Sequence, residues 1–101
     1  MIESFVDEIT RKIFEGEELS RKDLKRLGDL RIDKAQERLH VLNQASERDL
    51  LSLRSLHYHR LHGLRRYSID ADSRHSKWRI TFEWSDEHLK NVSLVRIKDT
   101  H

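Results

Sequence analysis

The chain has 101 residues, of which 38% are charged and 36% hydrophobic, with a formal net charge of +2 and no cysteine. One domain spanning 1–101 with a lean core is all that this length can build, and the missing thiol excludes disulfide frameworks, thiolate zinc sites and cysteine nucleophiles. The opening Met1-Ile2-Glu3-Ser4-Phe5 lacks the basic and apolar regions of a signal peptide, and no run nears the ~18 apolar residues of a membrane span, so a cytoplasmic protein is expected.

Residues 2–6 are apolar enough for an edge strand. Val6, Ile9 and Ile13 follow at three- and four-residue spacing, which predicts a short helix ending near Gly16. Ser20-Arg21-Lys22-Asp23 is a helix start with an acid at the third position. Leu24, Leu27, Ala35, Leu39 and Leu42 continue one stripe. A long helix over 21–44, antiparallel to the first, is therefore expected, with Gly28 weakening it locally by about 1 kcal/mol.

The second half changes period. Tyr67, Ile69 and Ala71 alternate with polar residues, as do Trp78, Ile80, Phe82 and Trp84, which marks strands with one buried face. Residues 72–76 are a hairpin loop and 85–90 a second loop. Val92, Leu94, Val95 and Ile97 form a last strand, apolar partly on both faces and so expected to be central. The fold class is α+β, with helices covering one face of an antiparallel sheet. Trp78, Ile80, Phe82 and Trp84 should face the helices, and Arg79, Thr81 and Glu83 the open side.

Charge is unevenly placed. Between positions 54 and 66 lie Arg54, Arg60, Arg65 and Arg66 with His57, His59 and His62, and no acid. That is the footprint of a polyanion-binding edge, or else of a solvated basic loop. His57 and His59 fall on one face of an extended segment, which could suit zinc, but no carboxylate lies in the cluster and no metal is expected. Arg79, alone on the polar side of a core-building strand, suits phosphate binding through its planar fork; the alternative is a salt bridge with Glu83 or Asp70. At the C-terminus, His101 beside Asp99 could be tuned for acid–base work, or could be a frayed end. The chain has three glycines and carries neither a glycine-rich phosphate loop nor a nucleophile elbow, which argues against nucleotide-dependent enzymes and serine hydrolases.

Taken in order, these segments resemble a family. HigB-type toxins of the RelE/ParE superfamily (the plasmid maintenance killer family) carry L-H-x-L-K-G, then [WY]-S-[IV], then N-W-R-I-x-F, and end in D-Y-H. Here the corresponding residues are Tyr58-His59-Arg60-Leu61-His62-Gly63, Tyr67-Ser68-Ile69, Lys77-Trp78-Arg79-Ile80-Thr81-Phe82 and Asp99-Thr100-His101. The opening Met1-Ile2-x-Ser4-Phe5 is also similar. The departures are His62 for the family lysine, Thr100 for the tyrosine, a longer 72–76 loop and a shorter path from Gly63 to Tyr67.

The resemblance implies a RelE-like fold, with an N-terminal strand and two antiparallel helices packed on the sheet. It implies the toxin of a type II toxin–antitoxin pair, cutting mRNA on the 70S ribosome without metal or other cofactor. It further implies a helix-turn-helix antitoxin of the HigA kind, and operator DNA bound through the toxin–antitoxin complex. Carried over by position, His59, Arg79, Asp99 and His101 are the expected catalytic residues. Arg60, His62, Arg65 and Arg66 are the expected RNA contacts. The rival readings are a ParE-like gyrase inhibitor, a non-catalytic RNA- or ribosome-binding module using exposed aromatics such as Tyr58, and a protein-interaction domain.

Overall fold

A computed structural model describes residues 1–100 of the chain. Its elements run α1 (Glu8–Glu15), α2 (Arg21–Leu27), α3 (Ile32–Gln44), α4 (Glu47–Ser52), a 3-10 turn (Arg54–Leu56), β1 (His59–Arg60), β2 (Tyr67–Asp70), β3 (Trp78–Trp84) and β4 (Val92–Asp99). The four strands form one antiparallel sheet in the order β1-β2-β3-β4. The fold is α+β, and among the described residues no helix is long and apolar enough to cross a membrane.

The expected edge strand at residues 2–6 is reduced to two isolated parallel bridges, Ile2 with Val92 and Phe5 with Val95. Its backbone still hydrogen-bonds along β4, from Glu3 N to Val92 O (2.8 Å) and from Val6 N to Val95 O (2.9 Å). β4 is thus the last strand of the sheet rather than a central one, with its outer edge covered by this segment; its apolarity on both faces is a product of the register shift at Leu94, which leaves Leu94 exposed while Val92, Val95 and Ile97 are buried. Past Val6 the chain turns into α1, capped by Asp7, whose carboxylate accepts from Thr10 N. The wholly buried Thr10 hydroxyl then accepts from Ile97 N at 3.0 Å. A helix side chain thus satisfies a β4 amide that the departing segment leaves unpaired.

The long helix expected over 21–44 is two helices. The Ser20–Asp23 capping box starts α2, but the chain breaks at Gly28, which takes φ 52 and ψ −117, and resumes after Arg31. Tertiary partners outweigh the loss of helical bonds. Asp29 accepts the Trp78 indole N–H at 3.0 Å, and Asp72 accepts the Arg31 amide at 3.1 Å at the start of α3. The break also turns Leu27 and Leu30 inward and leaves Leu24 exposed. A continuous stripe in sequence cannot reveal a break fixed by residues more than forty positions away.

α1 and α3 pack together, and Ala35, Leu39 and Leu42 of α3 are wholly buried, as are Ile69, Ile80 and Phe82 of the sheet. Trp78 is buried as well, so β3 turns its apolar side to the core. Phe82, Trp84, Tyr67 and Tyr58 form an aromatic cluster with centroids 5.5 to 6.5 Å apart. Tyr58 is therefore not the exposed stacking platform expected of it. It is half-buried, donates to Glu47 Oε2 at 2.7 Å and accepts from Trp84 Nε1 at 2.9 Å. Burial, and then the Glu47 carboxylate, hold its hydroxyl well above the usual tyrosine range.

Candidate nucleic-acid interface

The strand registers assign the polar side chains to the other sheet face. His59 pairs with Ser68, Ser68 with Thr81 and Thr81 with Arg96, giving one row across all four strands. The next row is Asp70, Arg79 and Lys98. Cross-strand partners share a face, so these seven residues lie on the open side. Two adjoining hollows open there, of about 370 and 340 Å³. Both are lined by Leu61, Thr81 and Lys98; the first adds Val6, Leu64, Arg66 and Arg96, the second Ser68, Asp99 and Thr100.

One wall is the 61–66 loop. Leu61 N bonds to Arg66 O (2.8 Å), Leu64 N bonds to Leu61 O (3.2 Å), and Gly63 sits at φ 72. Arg60 Nε donates to Leu64 O at 3.0 Å, bracing the loop from β1. His62 and Arg65 are exposed at its tip. Arg66 leans back over the sheet and donates to Thr81 Oγ1 and Leu94 O, both at 2.9 Å, with Glu83 Oε2 at 3.6 Å. Leu94 is the positive-φ residue (φ 53) where the β3–β4 register shifts. The bulge aims its carbonyl at this arginine, which the sequence pattern could not show.

His59 is exposed at the outer edge. Its Nδ1 lies 2.9 Å from His57 O. A carbonyl can only accept, so Nδ1 carries the proton and a neutral ring presents Nε2 as a base. Its ring centroid is 5.1 Å from that of His57, but no group of three His, Asp or Glu side chains among the described residues could hold a metal ion. The opposite wall is the end of β4. Asp99 pairs with Trp78 in the ladder, and its carboxylate lies 3.4 Å from Lys77 Nζ. Thr100 continues the pairing, donating from both N and Oγ1 to Lys77 O. His101 lies outside the described residues. β1 and β4 are three strand spacings apart, roughly 14 Å; His59 lies in an open-face row, whereas Asp99, paired with Trp78, belongs by register to the other face and borders the second hollow only at the strand end.

Arg79 has a different setting from its neighbours. Its guanidinium donates to the carbonyls of Ser76, Trp78 (2.8 Å) and Arg74 (3.4 Å), and its Nε lies 3.3 Å from Asp70 Oδ1. Asp70 is wholly buried, and among the described residues neither carboxylate oxygen accepts a hydrogen bond. Of the two partners considered from sequence, Asp70 is the one present. The arginine clips the 72–76 hairpin to the sheet, so its donors are committed within the fold. Compared with family models, with curated proteins and with solved structures, the chain matches none.

Proposed function

We propose that this chain is the toxin of a type II toxin–antitoxin pair, a ribosome-dependent mRNA endonuclease with a RelE-like arrangement, neutralised by a helix-turn-helix antitoxin of the HigA kind. The observation that carries the reading is the open-face groove, with basic side chains along its loop and strands and titratable groups at both ends. Among the described residues, the hollow beside the loop is lined by Arg66, Arg96 and Lys98 and by no acid, and a cleft so charged concentrates a polyanion. The resemblance of segments 58–63, 67–69, 77–82 and 99–101 to HigB-type toxins supports the same assignment.

In the proposed reaction the RNA 2′-oxygen attacks the adjacent phosphorus while the bond from phosphorus to the 5′-oxygen breaks. The products are a 2′,3′-cyclic phosphate and a 5′-hydroxyl end. His59 Nε2 takes the proton from the 2′-hydroxyl. The acid side is the C-terminal end, Asp99 with His101, which protonates the leaving 5′-oxygen. Arg66, with Arg65, Arg60 and His62 on the loop, lines the path of the strand. Arg79 supports the groove by holding the hairpin in place. The ribosome holds the mRNA in line for attack, and no cofactor enters.

The test is which synthesis stops on expression in cells. The reading expects labelled methionine incorporation to collapse while thymidine incorporation continues, and His59→Ala to relieve the arrest. Early loss of thymidine incorporation with translation intact would identify a gyrase inhibitor instead.

A further inference from the structure

The cations of the sheet's open face have unequal freedom. Arg79 is spent on Asp70 and three carbonyls, and Arg66 on Thr81, Leu94 and Glu83. Arg96 Nε lies 3.6 Å from Asp7 Oδ2. Lys98 alone among the three β-strand cations of this face has no ion pair and no side-chain hydrogen bond within the described residues. Yet it is exposed on a rigid strand and lines both hollows of the groove.

Its position is also unfavourable without a partner. Lys98 stands directly across the ladder from Arg79, and Arg96 precedes it on the same face. Like charges directly opposite on a sheet destabilise it. Asp70 and Asp7 offset only part of the Arg79 and Arg96 charge, and the Lys98 ammonium has no such partner among the described residues. An anion lying in the groove would remove that penalty. A single ammonium on a flexible stem suits a phosphodiester approached from one side, as a point charge needing no fork geometry.

We propose that Lys98 is the phosphate-binding residue of the groove, holding a backbone phosphate of a single-stranded RNA between Thr81 and Thr100. The proposal rests on the endonuclease reading for its ligand and departs from the motif-based expectation that Arg79 plays this part.

The test is fluorescence anisotropy of a fluorescein-labelled 2′-O-methyl octanucleotide, which has no 2′-hydroxyl to react, over about 50–300 mM salt. Losing one phosphate contact on a single strand lowers the log–log salt slope by about 0.7, which is roughly eightfold in affinity at 50 mM salt. Lys98→Ala is expected to show that loss, Lys98→Arg to keep wild-type behaviour, and Lys22→Ala, on exposed α2, to change nothing. Equal affinity and slope for wild type and Lys98→Ala would overturn the proposal, as would no measurable binding by wild type at 50 mM salt. Cleavage on ribosomes is measured in parallel. Cleavage retained by Lys98→Ala sinks this inference and leaves the endonuclease standing; Lys98-dependent binding without any cleavage by wild type does the reverse.

Discussion

Asp70 and Arg79 set the energetics of the hairpin that borders the groove. A buried carboxylate without hydrogen bonds depends on its ion pair, and removing one partner of such a pair typically costs about 3–5 kcal/mol. Arg79→Ala is therefore expected to lower the urea midpoint strongly, while Asp70→Asn combined with Arg79→Gln recovers much of the loss. Equal stability of Arg79→Ala and wild type would show that the clip is not structural. Tyr58 supplies a pH test. Its hydroxyl is raised from the usual 10.0 by burial and Glu47, so above pH 10 the unfolded chain gives up this proton while the folded chain keeps it. Stability is then present in full below pH 10 and declines as pH rises toward the higher folded value. Tyr58→Phe should flatten that alkaline decline in thermal melts; an unchanged slope would remove Tyr58 as its source. The sequence named Arg79, His59 and Asp99 as residues of interest, and the registers show why position alone could not give their roles. His59 shares the open face with Arg79, which is turned aside by an aspartate nine positions earlier, while Asp99 pairs with Trp78 and reaches the groove only at the end of β4. Lys98, the strand cation of this face without an ion pair among the described residues, was not singled out in the sequence, because nothing in its spacing marks it.

Local sequence rules located the start of α2 at Ser20, and the period-two alternation placed Trp78, Ile80 and Phe82 on the core side; Asp7 and Ser46 also cap helices with a side-chain oxygen, but the short α4 that Ser46 starts was not expected. The break between α2 and α3 was not legible, because the apolar stripe continues through it and the compensating partners are Trp78 and Asp72. Gly28 is the local signal, but a mid-helix glycine is ambiguous between a weak spot and a break. Its φ 52 and ψ −117 lie where side-chain-bearing residues are strained, although a Cβ there would meet nothing within 4 Å. Gly28→Ala should cost about 1–3 kcal/mol from backbone strain alone, read as a shift in urea midpoint with unchanged slope. No shift would mean that the turn can relax into a continuous helix. β1, only two residues long, was also missed; His59 and Arg60 are both exposed and carry no burial pattern to read.

Across the whole molecule, the N-terminal segment is tied to the β3–β4 loop and to the start of β4. The N-terminal amine donates to Lys90 O, Ser4 Oγ accepts from Leu94 N, and Ser85 donates to Glu3. These contacts close the β4 edge that would otherwise present unpaired backbone to other molecules. Deleting residues 1–5 should lower the thermal midpoint and promote association, seen by light scattering; a monomer of unchanged stability would show that the bridges contribute nothing. The same arrangement presents the end of β4 to the groove, so stability and the proposed chemistry share one strand. The central claim is that this groove cuts RNA held by the ribosome. It is tested most directly by incubating purified protein with mRNA, with and without programmed 70S ribosomes, beside His59→Ala and Asp99→Asn. Cleavage that requires ribosomes, leaves 2′,3′-cyclic phosphate ends and falls by about a hundredfold or more in either variant is the expected result. Intact mRNA under both conditions, or cleavage unaffected by both substitutions, would contradict it.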